Sequence, residues 1–202
     1  MNTPAHLLLG TAAFGKSNYR AITLAAFIGA LIPDLSLYLL VAFCVFILDI
    51  PASVVFDELY FSDRWQLVFM VDNSFLLWGL LLLIGVGLKK TWPIALTGAA
   101  LLHLACDFPL HHDDARAHFW PLTDWRFISP VSYWDTNHLA SWVAPVEVVL
   151  CVAAAVFIWK NHQEKLIRGT VMLLLLLELI GYRELDCFFL KHYGTRRLCV
   201  QD

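Results

Sequence analysis

Apolar residues along this chain come in runs separated by short polar breaks. Residues 4–14 form a first run that is too short to cross a hydrocarbon layer of about 30 Å at about 1.5 Å of helical rise per residue. Gly15-Lys16-Ser17-Asn18 ends it, and residues 21–48 follow as a run long enough to span. Pro33-Asp34 falls inside this second run. Proline lacks a backbone donor and disfavours helix in the residue before it, so a kink or re-entrant break is expected at Ile32-Pro33, presenting Asp34. Residues 49–64 read as a polar, mostly acidic loop. Residues 65–88 form the next span, with Asp72-Asn73-Ser74 in its first two turns or so and Lys89-Lys90 beyond its end. A third span, 92–108, closes on His103 and Asp107. A fourth, 139–159, carries Glu147 in its early turns and runs into Lys160, Lys165 and Arg168. The last run, 171–180, is short and contains Glu178, so it is expected to lie along the interface or to insert only in part, with Glu178 partnering a nearby basic group. The pattern predicts an all-α fold: a polytopic membrane helical bundle of about four to five transmembrane helices plus a short re-entrant or interfacial N-terminal helix. It forms one integral membrane domain, 1–202, with a polar extramembrane loop at 109–138 and a basic tail at 183–202.

Residues 101–138 interrupt this apolar background with His103, Asp107, His111, His112, Asp113, Asp114, His118, Asp124, Asp135 and His138, including five of the eight histidines. His103 and Asp107 are four apart and share one helix face, where an imidazole and a carboxylate make a usual ligand pair for zinc or manganese.

Composition explains why this island stands out. The chain is 59% hydrophobic and 15% charged, against about 25% charged in soluble domains, and its net charge is −3. The bilayer is therefore the expected partner, and a nucleic acid, which calls for a basic face, is not. The five cysteines include no C-x-x-C pair and read as structural, and MNTPAHLLLG lacks the basic start of a secretory signal. Trp120, Trp125, Tyr133 and Trp134 read as an interfacial aromatic belt, His118, His138, His162 and His192 as solvent-facing, and His111, His112, Asp113 and Asp114 either as a solvated loop or as part of the site. Lysine and arginine favour cytoplasmic loops, which puts Lys89-Lys90 and the segment from Lys160 to Arg168 inside, the island and residues 49–64 outside. Asp72, Asn73, His103, Asp107 and Glu147 then converge at similar depth near the outer surface, with Asp34 somewhat deeper and His6 joining if the first two segments form a hairpin. Several ionisable groups converging in a membrane bundle mark a functional site, because each alone is costly to bury.

P-A-H-L-L-L-G at 4–10, G-A-L-I-P-D at 29–34, D-N-S at 72–74 and H-L-A-C-D at 103–107 together resemble a bacterial family of membrane-bound, metal-dependent hydrolases whose best-known member is a LexA-regulated inner-membrane protein. That family is distantly similar to the zinc-dependent phospholipases C. The resemblance spans roughly residues 6–121. It implies a bacterial inner-membrane, multi-pass protein with an extracytoplasmic site for a divalent ion, zinc above all, or manganese or iron, held by His6, Asp34, His103 and Asp107. Asn73 stands where the family tends to have histidine, so Asp72, His111 or His118 is expected to take that ligand's place. The implied chemistry is hydrolysis of a phosphoester or other ester of a lipid or lipid-linked substrate by metal-activated water, with Glu147 or Asp113 as general base and Arg116 or Arg126 holding an anionic headgroup. Two other classes use the same residues. One is a transporter or proton-relay subunit, although the chain shows no internal repeat; the other is a non-catalytic membrane docking protein.

Overall fold

The structure is a computed structural model that describes the backbone of residues 1–192 and the side chains of residues 1–181. Cys187, Cys199, the side chains of Arg183, Lys191 and His192, and residues 193–202 lie outside the described part. The described residues form helices and connecting loops without a strand. They are α1 (Thr3–Phe14), α2 (Arg20–Ala42, extended by a π-helical turn, Phe43–Ile47), α3 (Ala52–Val54, extended by a second π-helical turn, Val55–Leu59), α4 (Asp63–Asp72), α5 (Phe75–Gly87), α6 (Thr91–Asp107), α7 (Ala140–Asn161) and α8 (Lys165–His192).

Three helical stretches are long and apolar enough to cross a membrane: Arg20–Ile47, Asp63–Gly87 and Ala140–Asn161, of 28, 25 and 22 residues. Their outward faces carry Phe46, Leu83 and Val149, each more than half exposed, as expected of surfaces that meet lipid rather than water. These stretches mark the chain as a membrane protein.

α1 is apolar all round, and such a helix is stable only when enclosed. Pro4 sits at its start, where a missing N–H costs nothing. It packs against α2, α6, α7 and α8, so its role is that of a central core helix rather than an interfacial one. Small residues permit this close packing. A side chain on Gly10 would begin 2.6 Å from Cβ of Ala30, and one on Gly29 would begin 1.9 Å from the Leu96 carbonyl oxygen.

The expected break at Pro33 does not occur. α2 runs through it, because the helix is held before Pro33 by the seam against α6 and beyond it by the core shared with α4, and proline removes only the one N–H that would serve the Gly29 carbonyl. The break falls instead at Asn73-Ser74, ten residues into the next span rather than in its first two turns. Ser74 caps α5 by accepting from the Leu77 N–H, and Asn73 Nδ2 donates to the carbonyls of Phe69 and Pro33. Residues 49–64 are also more ordered than a polar loop: Val55 and Tyr60 are buried with Cys44, Trp65 and Phe69 in a second core between the far half of α2 and α4.

At one end of the bundle, Ser17 Oγ donates to the Asn161 carbonyl and joins the α1–α2 turn to the α7–α8 turn. At the other end the island folds back over the helices. Phe75 N–H bonds the His118 carbonyl, and Ser74 Oγ bonds that of Trp120. Within the island, Ser129 and Tyr133 N–H groups bond the carbonyls of His111 and Leu110. The backbone of α8 continues as helix through residues expected to begin a tail, up to His192.

Candidate metal centre

Asp107, the last residue of α6, is the hub of the site. Its Oδ1 lies 2.8 Å from His6 Nε2 and also accepts from the Met1 amino group at 2.6 Å. Its Oδ2 lies 3.2 Å from His103 Nε2 and 3.3 Å from His111 Nε2. The His6 and His103 rings stack at 3.5 Å with 8° between their planes. All three of His6, His103 and Asp107 are buried, and their ligand atoms lie within 4.8 Å of one another, so the group could hold a metal ion.

The local geometry follows from the sequence in steps. The i, i+4 spacing on α6 sets His103 Nε2 against Asp107. The Gly29 seam lets α2 approach α6, and His103 Nδ1 donates to the Ala30 carbonyl at 2.7 Å, one turn before Pro33. That bond places a ring proton on Nδ1 and turns Nε2 toward the carboxylates, where it carries a lone pair when the ring is neutral. Nε2 is buried, has no hydrogen-bond partner, and faces Asp107 Oδ2 at 3.2 Å and Asp34 Oδ1 at 3.5 Å. With the ring neutral, a nitrogen lone pair and two carboxylate oxygens converging in an apolar bundle repel one another unless a cation, a proton on Nε2 or a metal ion, lies among them. The donor set therefore fits a divalent ion.

Asp34 stands at the accessible edge, its side chain 22% exposed, against 7% for Asp107. Thr3 Oγ1 donates to Asp34 Oδ2, and Tyr38 lies behind Thr3. His111 comes from the island, and its Nδ1 is 2.8 Å from Asp114 Oδ2, which also accepts from Trp134 Nε1. Burial opposes charge on both partners. The ion pair outweighs it, so His111 is held above the ordinary imidazole range by Asp114 and Asp107, and Asp114 below the ordinary carboxylate range by His111. Tyr133 packs on the His111 ring, and burial keeps its phenol protonated. Tyr133 and Trp134 thus wall the site.

The chain was compared with protein-family models, with curated proteins and with solved structures. It matches none of them.

Several expected site residues do other work. Glu147 accepts the Asn2 N–H at 2.6 Å, and Glu178 accepts from Asn2 Nδ2 at 3.2 Å, so these two glutamates clamp the start of α1, where its dipole favours negative charge. Glu147 is committed there rather than free as a base. Glu178, expected to meet a basic group, accepts from Asn2 and lies within reach of the Met1 amino group's charge. Asp113 is an exposed residue outside the His–Asp group; partial burial of its carboxyl and the neighbouring Asp114 raise its pKa. Asp72 lies at the α4–α5 break, outside that group, and its carbonyl holds Trp78 Nε1. Arg126 is exposed, whereas Arg116 is buried over two aromatic rings. His112 stacks on His138 at 3.6 Å near the surface, and His162 is buried rather than solvent-facing. Sequence reasoning missed the Ala30 carbonyl as the group that orients His103, because that contact joins residues 73 apart in the chain.

His118 donates from Nδ1 to the Asn73 carbonyl and packs against Phe75 and Phe108. Burial depresses its pKa to about 4, against the opposing pull of the Asn73 carbonyl. The folded state thus refuses a proton that the unfolded chain takes near pH 6.5, and this group's contribution to stability is lost as pH falls from about 6.5 to about 4. In thermal unfolding of the detergent-purified protein from pH 7 to 4, the stability advantage of wild type over His118→Gln is expected to shrink by up to about 3 kcal/mol. Parallel pH profiles would contradict the buried neutral imidazole.

Proposed function

We propose that this chain is a membrane-embedded, metal-dependent hydrolase that cleaves an ester bond of a lipid or lipid-linked substrate, within the family its motifs resemble. The observation that carries this reading is His103 Nε2, buried without a hydrogen-bond partner, its ring oriented from behind by the Ala30 carbonyl and two carboxylates in front. His6, His103 and Asp107 would hold the ion. Three protein ligands with an accessible edge are the pattern of catalytic zinc, and a mixed nitrogen and oxygen donor set suits zinc over calcium or magnesium. When bound, a divalent ion lowers the pKa of water to about 7 and polarises the scissile carbonyl or phosphoryl oxygen.

The protein's own groups do the rest. The Ala30 carbonyl orients His103, and His111, paired with Asp114, steadies the second oxygen of Asp107. Asp34, first expected as a ligand, stands outside the His6–His103–Asp107 group at its accessible edge, held by Thr3, and in this reading takes the proton given up by water, the role first expected of Glu147 or Asp113. The group lies at the end of the 17-residue α6 and beside the middle of α2. A substrate therefore reaches it from the island side, between protein and leaflet.

We read the protein as multi-pass in a bacterial inner membrane. α6 and α8 add to the three long apolar stretches to make four to five crossings. The Lys89-Lys90 and Lys160 to Arg168 turns face the cytoplasm, and the site opens to the other side. The apolar cavity of about 180 Å³ between α1, α2, α7 and α8 contains none of the His–Asp residues and takes no part in this chemistry.

The test is turnover of short-chain phospholipid and neutral glyceride esters by purified protein in uncharged detergent. Product release should stop with a strong chelator, return with zinc, and fall at least about 1,000-fold in His103→Ala, as expected when the group that generates the nucleophile is lost. Zinc flux across sealed vesicles without turnover in detergent would replace the hydrolase with a transporter.

A further inference from the structure

Arg116 is a buried cation with no anion beside it. The residue is 9% exposed, and its guanidinium carbon sits 4.3 Å from the centre of the Phe69 ring and 5.0 Å from that of Tyr60. Nη1 is enclosed without a hydrogen-bond partner. Among the described residues no carboxylate oxygen lies within 4.0 Å of the guanidinium. Acidic groups whose charge it feels include Asp114, whose Oδ2 is taken by His111 and Trp134 while its Oδ1 is buried without a hydrogen-bond partner, and Asp72, whose Oδ2 is buried in the same way.

Buried guanidinium groups are normally paired, because desolvating the charge is costly. Here the aromatic faces take up the apolar plane of the group and fix its orientation, while Nη1 on the donor edge stays unused. Ala115 and Ala117 are buried on either side, so the backbone that presents the side chain is itself packed. A planar fork held this way matches two oxygens of an anion such as a phosphate, and not a neutral ester. The chain of contacts Asp107, His111, Asp114 ends two residues from Arg116 and ties the fork to the metal centre.

We infer that Arg116 is an anion subsite that takes the phosphate of a phosphorylated amphiphile, which makes a phosphate-bearing lipid, rather than a neutral ester, the substrate class. What is cleaved rests on the hydrolase reading, but the binding does not. Arg126, the other arginine of the island, is exposed and has no such seat.

The experiment measures binding of inorganic phosphate, dihexanoyl phosphatidic acid and dihexanoylglycerol to the full chain in uncharged detergent, with zinc and after chelation. It uses wild type, Arg116→Met, Arg116→Lys and Arg126→Gln, each checked by gel filtration. Both phosphate ligands should bind wild type in either metal state, and dihexanoylglycerol should not. Arg116→Met should weaken them about tenfold or more, as loss of a charged hydrogen-bonded pair does. Arg116→Lys, which keeps the charge without the fork, should weaken them less, and Arg126→Gln should match wild type. Tighter binding of the lipid points to a headgroup, and equal binding to free phosphate; both support the subsite. If Arg116→Met does not fold, Arg116→Lys alone must show weakening of about threefold. Unchanged affinity in the Arg116 variants overturns the inference, as does phosphate binding that needs zinc and ignores Arg116, which leaves the hydrolase reading intact. Arg116-dependent binding in a protein with no metal-dependent turnover keeps the subsite and sinks the hydrolase.

Discussion

Asp107→Asn is expected to fold and to lose its metal. Every group around Asp107 is a nitrogen, so an amide of the same shape can still occupy the position, but the charge that draws a cation against His6 and His103 is gone. Orienting groups behind a ligand are worth about 10- to 100-fold in metal affinity, and this ligand is shared by both faces of the site, so the loss should be at least about 100-fold. Competition against a fluorescent zinc chelator measures it. Asp113→Asn, which neutralises an exposed carboxylate of the island, is the control expected to match wild type. Wild-type affinity in Asp107→Asn would remove Asp107 from the centre.

Gly29→Ala should be the most disruptive single-methyl change in the bundle. The added carbon would begin 1.9 Å from the Leu96 carbonyl oxygen and 2.7 Å from its carbon, and backbone cannot swing aside as a side chain can. α2 and α6 must separate, at a cost of about 3 kcal/mol, the upper range for overpacking. The same movement stretches the bond from His103 to the Ala30 carbonyl and carries Asp34 away from His103, so metal affinity should fall with stability. Gly79→Ala is the comparison, because a methyl there meets nothing within 4 Å and should be neutral or slightly stabilising. Unfolding of both variants in detergent checks this, and equal stability would contradict the close α2–α6 seam.

The parts of the site that were legible in sequence are those fixed by local spacing. His103 and Asp107 needed only helix periodicity, and Asp34 stood out because a carboxylate inside an apolar run requires a reason. The long apolar runs became helices, but the run at 65–88 is broken at Asn73-Ser74 and the short run at 171–180 lies inside the 28-residue α8. What was not legible depends on contacts between distant segments. Glu147 had the right depth to be a base, but the start of α1 reaches it first through Asn2. Pro33 was a sound break signal, overridden by packing of α2 against α6 before it and against α4 beyond it. The island was polar enough to read as a solvated loop, yet His111, Arg116 and His118 are buried, because its backbone bonds to itself and to the α4–α5 break. No periodicity records that kind of closure.

The most direct test of the metal centre is the metal content and ligand shell of the wild-type protein, purified in uncharged detergent, loaded with zinc and dialysed against a weak chelator. About one retained equivalent, with X-ray absorption showing imidazole nitrogen at about 2.0 Å, is the predicted result. Protein that stays folded and retains no metal would contradict it.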